Sequence, residues 1–236
     1  MIFRILVVAL VAGVALTLVV AKPWKLVPPH WNPWAPLAIV HPPTPVTLWK
    51  LSRLETSPRQ CLAVLENTPP GAVDYLPLAD YEPVPDCPLQ NVVRVKKTDL
   101  NFSSPYTITC PLLVRWLMFE NQQLQPLAFT HFASSVRTVN HFGSFSCRNV
   151  YHRESGRRSQ HATASALDVS EFILADNTRI NVLRDWQKNE NSTASKFLHD
   201  VHEAACRYFG TVLGPDYNRP HENHFHFGVS SYRLCH

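Results

Sequence analysis

Three regimes of apolar and polar residues follow one another along the chain. Residues 1–21, MIFRILVVALVAGVALTLVVA, form an apolar run with Arg4 near its start and 17 uncharged residues after it. No polar face interrupts this run, which argues against an ordinary amphipathic core helix. Its length lies between a signal-peptide core and a spanning helix of about 20 residues. We read it as an uncleaved inner-membrane anchor; cleavage after Ala21 is the alternative, because Val19 and Ala21 suit a signal peptidase. Residues 22–45, KPWKLVPPHWNPWAPLAIVHPPTP, read as an extended, semi-rigid tether. Its tryptophans, Trp24, Trp31 and Trp34, suit a lipid interface or a cap on the domain.

The third regime, 46–236, has the periodicities of a folded domain. Ser57 and Pro58 open a helix as N-cap and first helical residue, with Cys61, Leu62, Val64 and Leu65 inward. A loop-rich stretch around TPPG at 68–71 follows. VVRVKKTDL at 92–100 reads as a strand, and PLLVRWLMFENQQLQ at 111–125 as an amphipathic helix started by Pro111. SSVRTVNHFG at 134–143, ASALDVSEFIL at 164–174 and HFHFGVS at 224–230 are strand-like, and SKFLHDVHEAACRYFGTVLG at 195–214 is the clearest helix. Strands and helices without a strict β-α repeat predict an α+β domain, a small mixed or antiparallel sheet with flanking helices.

Composition sharpens this picture. With 236 residues, 45% of them apolar and 17% charged, the chain can bury a sizeable core. Twenty prolines against seven glycines, crowded into the first 90 residues, push the regular structure into the later half. The net charge of +4 is mild and dispersed, densest in RESGRR at 153–158. Without a basic stripe interleaved with stacking aromatics, nucleic acid is not an expected partner; anionic envelope polymers or lipid head groups are. All six cysteines, Cys61, Cys87, Cys110, Cys147, Cys206 and Cys235, follow the apolar run, and none forms a C-x-x-C pair. Disulfides in an oxidising compartment are expected, with sequential pairing (61 with 87, 110 with 147, 206 with 235) as the working choice among 15.

The candidate chemistry sits in two stretches, SQHATASALDVSEF at 159–172 and HENHFHFGV at 221–229. As a strand, HFHFG sends His224 and His226 to one face, about 6.6 Å apart, and Phe225 and Phe227 to the other. The same alternation sets Asp168 and Ser170 against Leu167 and Val169. Alanines at 162, 164 and 166 let the backbone bend closely around whatever His161 holds. Two imidazoles, one carboxylate and a fourth position left to water would make an open zinc site. The remaining histidines, His131, His141, His152, His199 and His202, read as surface or core residues.

Ser159 to Asp168 resembles the S-x-H-x-x-G-x-A-x-D signature of the D-alanyl-D-alanine metallopeptidase and murein endopeptidase group, whose zinc fold also includes the hedgehog signalling domain. The closer likeness is to the bacterial extensin-like C-terminal family, in SFSCRN, SQHATASALDVSEF, FLHDVHEAACRYFGTVLGPDYN and HENHFHFG, over roughly residues 32–236. One departure is Ala164, where the peptidases have glycine. The resemblance implies a disulfide-stabilised, hedgehog-like fold with Zn2+ held by His161, Asp168 and His226. It also implies His224 as base or transition-state stabiliser, His221 as its companion, and Arg148 facing a scissile carbonyl or a substrate carboxylate, with Ser159 supporting the ligand loop. Glu222, four residues before His226, is the alternative base, since that offset on a strand keeps it on the same side. The implied activity is hydrolysis of amide bonds in peptidoglycan stem peptides or cross-links in the bacterial envelope. A non-catalytic, zinc-stabilised wall-binding module is the rival.

Overall fold

The computed structural model describes residues 2–22, 26–187, 192–230 and 232–236, so Trp24 lies outside the described residues. In chain order the elements are α1 (Ile2–Ala21), α2 (Pro45–Arg53), α3 (Pro58–Glu66), β1 (Val73–Pro77), β2 (Val92–Thr98), β3 (Asn101–Thr109), α4 (Cys110–Phe119) and α5 (Gln125–Phe132). There follow β4 (Val136–Gly143), β5 (Ala166–Leu174), β6 (Arg179–Asn181), α6 (Val182–Asp185), α7 (Thr193–Ala205), β7 (Thr211–Leu213), β8 (Phe225–Gly228) and β9 (Leu234–Cys235). Among the described residues, nine strands form one sheet in the order β1-β2-β3-β4-β5-β8-β7-β9, with β6 also on β5. The β3–β4 and β7–β9 pairs are parallel and the others antiparallel, so the domain is α+β with a mixed sheet.

The core forms around α4, all ten of whose residues are buried. An amphipathic helix over 111–125 would expose its charged residues, but Arg115 and Glu120 are both buried with partners. Arg115 donates to the Tyr208 carbonyl (2.8 Å) and lies 3.6 Å from Glu55. Glu120 accepts from Thr98 Oγ1 (2.6 Å) and Trp116 Nε1 (2.7 Å), and burial pushes its carboxyl up to about 7. One π-turn, Glu120–Leu124, joins α4 to α5.

Other expectations shift for local reasons. Ser57 and Pro58 do start α3, although the Ser57 side chain makes no capping bond. The long helix ends at Ala205, and 211–213, expected to be helical, is strand β7, whose β-branched residues pair with β8. The proline-rich segment does not stand off as a tether. Leu37 and Ile39 bury themselves in the main core, Lys50 Nζ donates to the Pro29 carbonyl (2.8 Å), and Gln122 donates to the carbonyls of Ile39 and His41. Trp31 and Trp34 remain exposed. No helix among the described residues is long and apolar enough to cross a membrane; some α1 side chains, including Val19 and Ala21, lie outside that description.

Three disulfides close the fold: Cys61–Cys110, Cys87–Cys147 and Cys206–Cys235. Sequential pairing therefore holds only for the last. Cys61, on the buried side of α3, meets the first residue of α4, which brings it to Cys110 rather than Cys87. A closed loop of 49 residues removes much chain entropy from the unfolded state. On the loop-entropy relation, a Cys61→Ala/Cys110→Ala double variant should lose about 4 kcal/mol, read by urea unfolding of both proteins with the other bridges oxidised. An unchanged midpoint would mean that this bridge does not constrain the unfolded chain.

Candidate metal centre

Strand alternation delivers most of the site. Leu167 and Val169 of β5, and Phe225 and Phe227 of β8, point into the core. Asp168 and His226 point the other way, and the antiparallel register sets them directly opposite each other. His161 arrives from a 3-10 turn, Gln160–Thr163, just before β5. Ser159 caps that turn, its Oγ accepting from the His161 N–H (3.3 Å). Ala164 ends it in the left-handed conformation, φ 53°, the geometry that the glycine of the resembled signature would adopt without strain. Its fully buried side chain packs with Leu89 and Val92, which offsets part of the roughly 1–2 kcal/mol that this conformation costs.

The three side chains converge. His161 Nε2 lies 3.1 Å from Asp168 Oδ2, His226 Nδ1 lies 2.9 Å from Asp168 Oδ1, and the two ring nitrogens are 3.2 Å apart. The outer ring nitrogens fix which atoms face inward. A carbonyl can only accept, so His161 Nδ1 carries the proton donated to the Ser144 carbonyl (2.7 Å). Gln160 Nε2 donates to the Val229 carbonyl (2.7 Å), which turns Gln160 Oε1 toward His226 Nε2 (2.8 Å), and that nitrogen is then the donor. Both inward nitrogens are left as lone pairs aimed at a carboxylate. A proton can satisfy one such pair at a time, whereas a cation held by His161, Asp168 and His226 satisfies all three.

Electrostatics agree with a site made for positive charge. Burial opposes ionisation of Asp168, but wherever the inward nitrogens of His161 and His226 carry protons, their hydrogen bonds and charge outweigh it and hold the carboxyl well below the usual range, the place a cation would take. Burial lowers His224, and burial with the neighbouring His224 and His226 lowers His221 to about 4.

The remaining expected residues divide. His224 Nε2 is 3.5 Å from Asp168 Oδ1, its Nδ1 is 2.8 Å from Asn223 Oδ1, and its ring packs edge-on to Phe142. His221 sits beside it with ring centres 5.2 Å apart. Both line a cleft of about 300 Å³ together with Arg148 and Ser159. Glu222 is exposed and is not among the lining residues. It follows the 3-10 turn Arg219–His221 in helical backbone, so the strand offset that would have faced it into the site does not apply. His152 reaches the cleft rim, whereas His131 pairs with Asp200 and His199 stacks on Trp186. A larger cavity, about 390 Å³, lies between the proline-rich segment and α2 and α3, and its lining offers no comparable donor set. His202, Cys206 and Cys235 also cluster, but both sulfurs are committed to a disulfide. Sequence reasoning missed Gln160 and the Ser144 carbonyl. Only its place between Ser159 and His161 hinted at the first; a backbone carbonyl leaves no side-chain signal.

The family model described as Extensin-like protein C-terminus matches residues 59–236. No curated protein and no solved structure matches the chain.

Gly228 makes room for this arrangement, since a Cβ there would collide with the Gln160 carboxamide. By 15N NMR at mildly alkaline pH, His161 should be the Nδ1–H tautomer and His226 the Nε2–H tautomer. Gly228→Ala should erase the His226 preference and cost about 1–3 kcal/mol through overpacking. An Nδ1–H tautomer of His226 in the parent protein would refute the assignment.

Proposed function

The chain belongs to the extensin-like protein C-terminus family, and on that premise we propose that it is a zinc-dependent hydrolase of amide bonds in peptidoglycan stem peptides or their cross-links, working in the bacterial cell envelope. The observation that carries this reading is the convergence of two imidazole nitrogens and a carboxylate while both outer ring N–H groups are tied to carbonyl oxygens. That donor set and its outer hydrogen bonds are what a zinc ion needs. His161 Nε2, His226 Nδ1 and Asp168 would hold it. When bound, zinc supplies Lewis acidity, polarising a carbonyl and easing the ionisation of water near neutral pH.

The chain's own residues supply the rest. His224 stands beside the ligands with Nδ1 engaged by Asn223, which turns Nε2 toward the cleft, and burial favours its neutral form. In that form it takes a proton from the attacking water and returns it to the departing amine. His221 crowds the same wall and is held by Asn218 Oδ1 (2.6 Å). Arg148 offers a fixed cation to the oxygen on which negative charge develops. Ser159 holds the turn that aims His161. The likeness of Ser159–Asp168 to the murein metallopeptidase signature supports the substrate class, and three disulfides support an oxidising, extracytoplasmic location.

The purified protein should carry one zinc per chain, and Asp168→Ala should lose it, measured by elemental analysis. Digestion of purified sacculi with mass analysis of the fragments should show amide cleavage by the parent. His224→Ala should retain zinc but lose about 10²–10⁴-fold in rate, whereas Glu222→Gln should lose little. Stoichiometric zinc with sacculi left intact would leave a zinc-stabilised wall-binding module in place of the hydrolase. Undiminished cleavage by His224→Ala would remove the base assignment.

A further inference from the structure

Residues 148–159 fold into a hairpin beside the metal centre. The Ser159 N–H donates to the Arg148 carbonyl and the Val150 N–H to the Arg157 carbonyl, both at 3.0 Å, while Asn149 and Arg158 form the bridge between them. That pattern sets Arg148 opposite Ser159 and Val150 opposite Arg157, so these four share one face and Asn149 and Arg158 share the other. The surroundings agree. Arg148, Val150, Arg157 and Ser159 all line the cleft, whereas Arg158 faces away and pairs with Asp86 at 3.7 Å.

The hairpin is held in place at both ends. The Cys87–Cys147 bridge fixes its base. At its tip, Asn218 Nδ2 donates to the Tyr151 hydroxyl (2.9 Å), and Arg157 donates to the Tyr232 hydroxyl (3.1 Å). Tyr151 and His152 both adopt positive φ, 57° and 56°, and non-glycine backbone strain of this kind gathers at functional sites.

This wall carries charge that no carboxylate among the described residues neutralises. The arginines that pair with carboxylates among the described residues are Arg115, Arg158, Arg179 and Arg184, and neither cleft arginine is among them. Among the described residues, the one carboxylate lining the cleft is Asp168, already engaged by His161 and His226. Arg148 and Arg157 are diagonal neighbours on the ladder, about 7–8 Å apart at that position in a regular hairpin. That span matches roughly two residues of extended chain. Arg157 spends one donor on Tyr232, and its other guanidinium N–H groups make no side-chain hydrogen bond among the described residues.

We propose that Arg157, oriented by the Tyr232 hydroxyl, is the subsite for a substrate carboxylate, and that the cleft takes peptides whose free carboxylate lies about two residues beyond the amide faced by Arg148. This inference rests on the hydrolase reading for the meaning of that amide, but the binding it predicts does not require hydrolysis. The planar guanidinium fork matches a carboxylate edge-on, and a carboxamide at the same place leaves that charge unanswered.

The test uses the full chain, with and without added zinc, and N-acetyl-trialanine in its all-L and all-D forms, each as free acid and as C-terminal amide. Calorimetric titration should show at least one stereoisomer binding about 10- to 100-fold more tightly as acid than as amide, the range expected for a charge-assisted hydrogen bond. Arg157→Gln should abolish that preference, Arg157→Lys should keep part of it, and Tyr232→Phe should weaken it. Where the peptide is cleaved, Arg157→Gln should raise KM and leave kcat nearly unchanged. Equal affinity for acid and amide in the parent overturns the proposal, as does inorganic phosphate binding as tightly as the peptide acid. Acid-selective binding together with sacculi left intact would sustain the subsite and sink only the hydrolase reading.

Discussion

The antiparallel register between β5 and β8 is the constraint on which the site depends. It places Asp168 opposite His226, and it is set by the same residues that build the core, because Leu167, Val169, Phe225 and Phe227 alternate with these candidate metal ligands and are all buried. A one-residue slip would exchange the two faces, burying the carboxylate and the imidazole and presenting phenyl rings to the cleft. Core packing and ligand alignment are therefore one structural fact. Phe227 stacks on Phe209 at 4.9 Å and contacts Trp116 and Phe119, which ties the register to the central helix.

Around this pair the chain adds orientation by hydrogen bonds. Gln160 and His161 are neighbours with opposite duties: His161 points its inner nitrogen at Asp168, and Gln160 reaches across to hold the outer nitrogen of His226. Gln160 can do so only because position 228 has no side chain, and because Val229 offers a carbonyl that fixes the amide's orientation. One short turn thus aims both imidazoles, one directly and one through an amide. Outer partners of this kind set the tautomer and the basicity of metal-binding histidines.

The inner side chains of the site were legible in the sequence for two reasons: strand alternation sets Asp168, His224 and His226 on faces, and the resemblance of Ser159–Asp168 to the metallopeptidase signature singles out His161. What was not legible depends on approach between segments remote in the chain. The pairing of Cys61 with Cys110 and of Cys87 with Cys147 reflects where α3 and the hairpin base come to rest. The burial of α4 was hidden by Arg115 and the following Glu120, because Tyr208, which accepts from Arg115, and Thr98, which donates to Glu120, are remote in sequence. Strand β3 was missed because NFSSPYTIT has a proline and few apolar residues, and only Tyr106 and Ile108 are buried. Glu222 was misplaced by extending the strand backward over a segment that is a 3-10 turn.

The cleft has two walls of different origin, one carrying the candidate metal ligands and the other the unpaired arginines. Its floor is the β5–β8 pair, fixed by the hydrophobic core and hard to alter without unfolding. Its rim is the 148–159 hairpin together with the C-terminal segment that carries Tyr232, neither of which contributes a residue to the buried apolar core. Small apolar contacts cannot hold such a rim, and the covalent bridges fall where they are needed: Cys87–Cys147 at the hairpin base and Cys206–Cys235 just beyond Tyr232. Side chains on the rim can therefore change what the cleft admits while the floor keeps its geometry. Rigidity of the floor comes from packing and rigidity of the rim from cross-links, so reduction of the disulfides should loosen recognition before it disturbs the converging ligands.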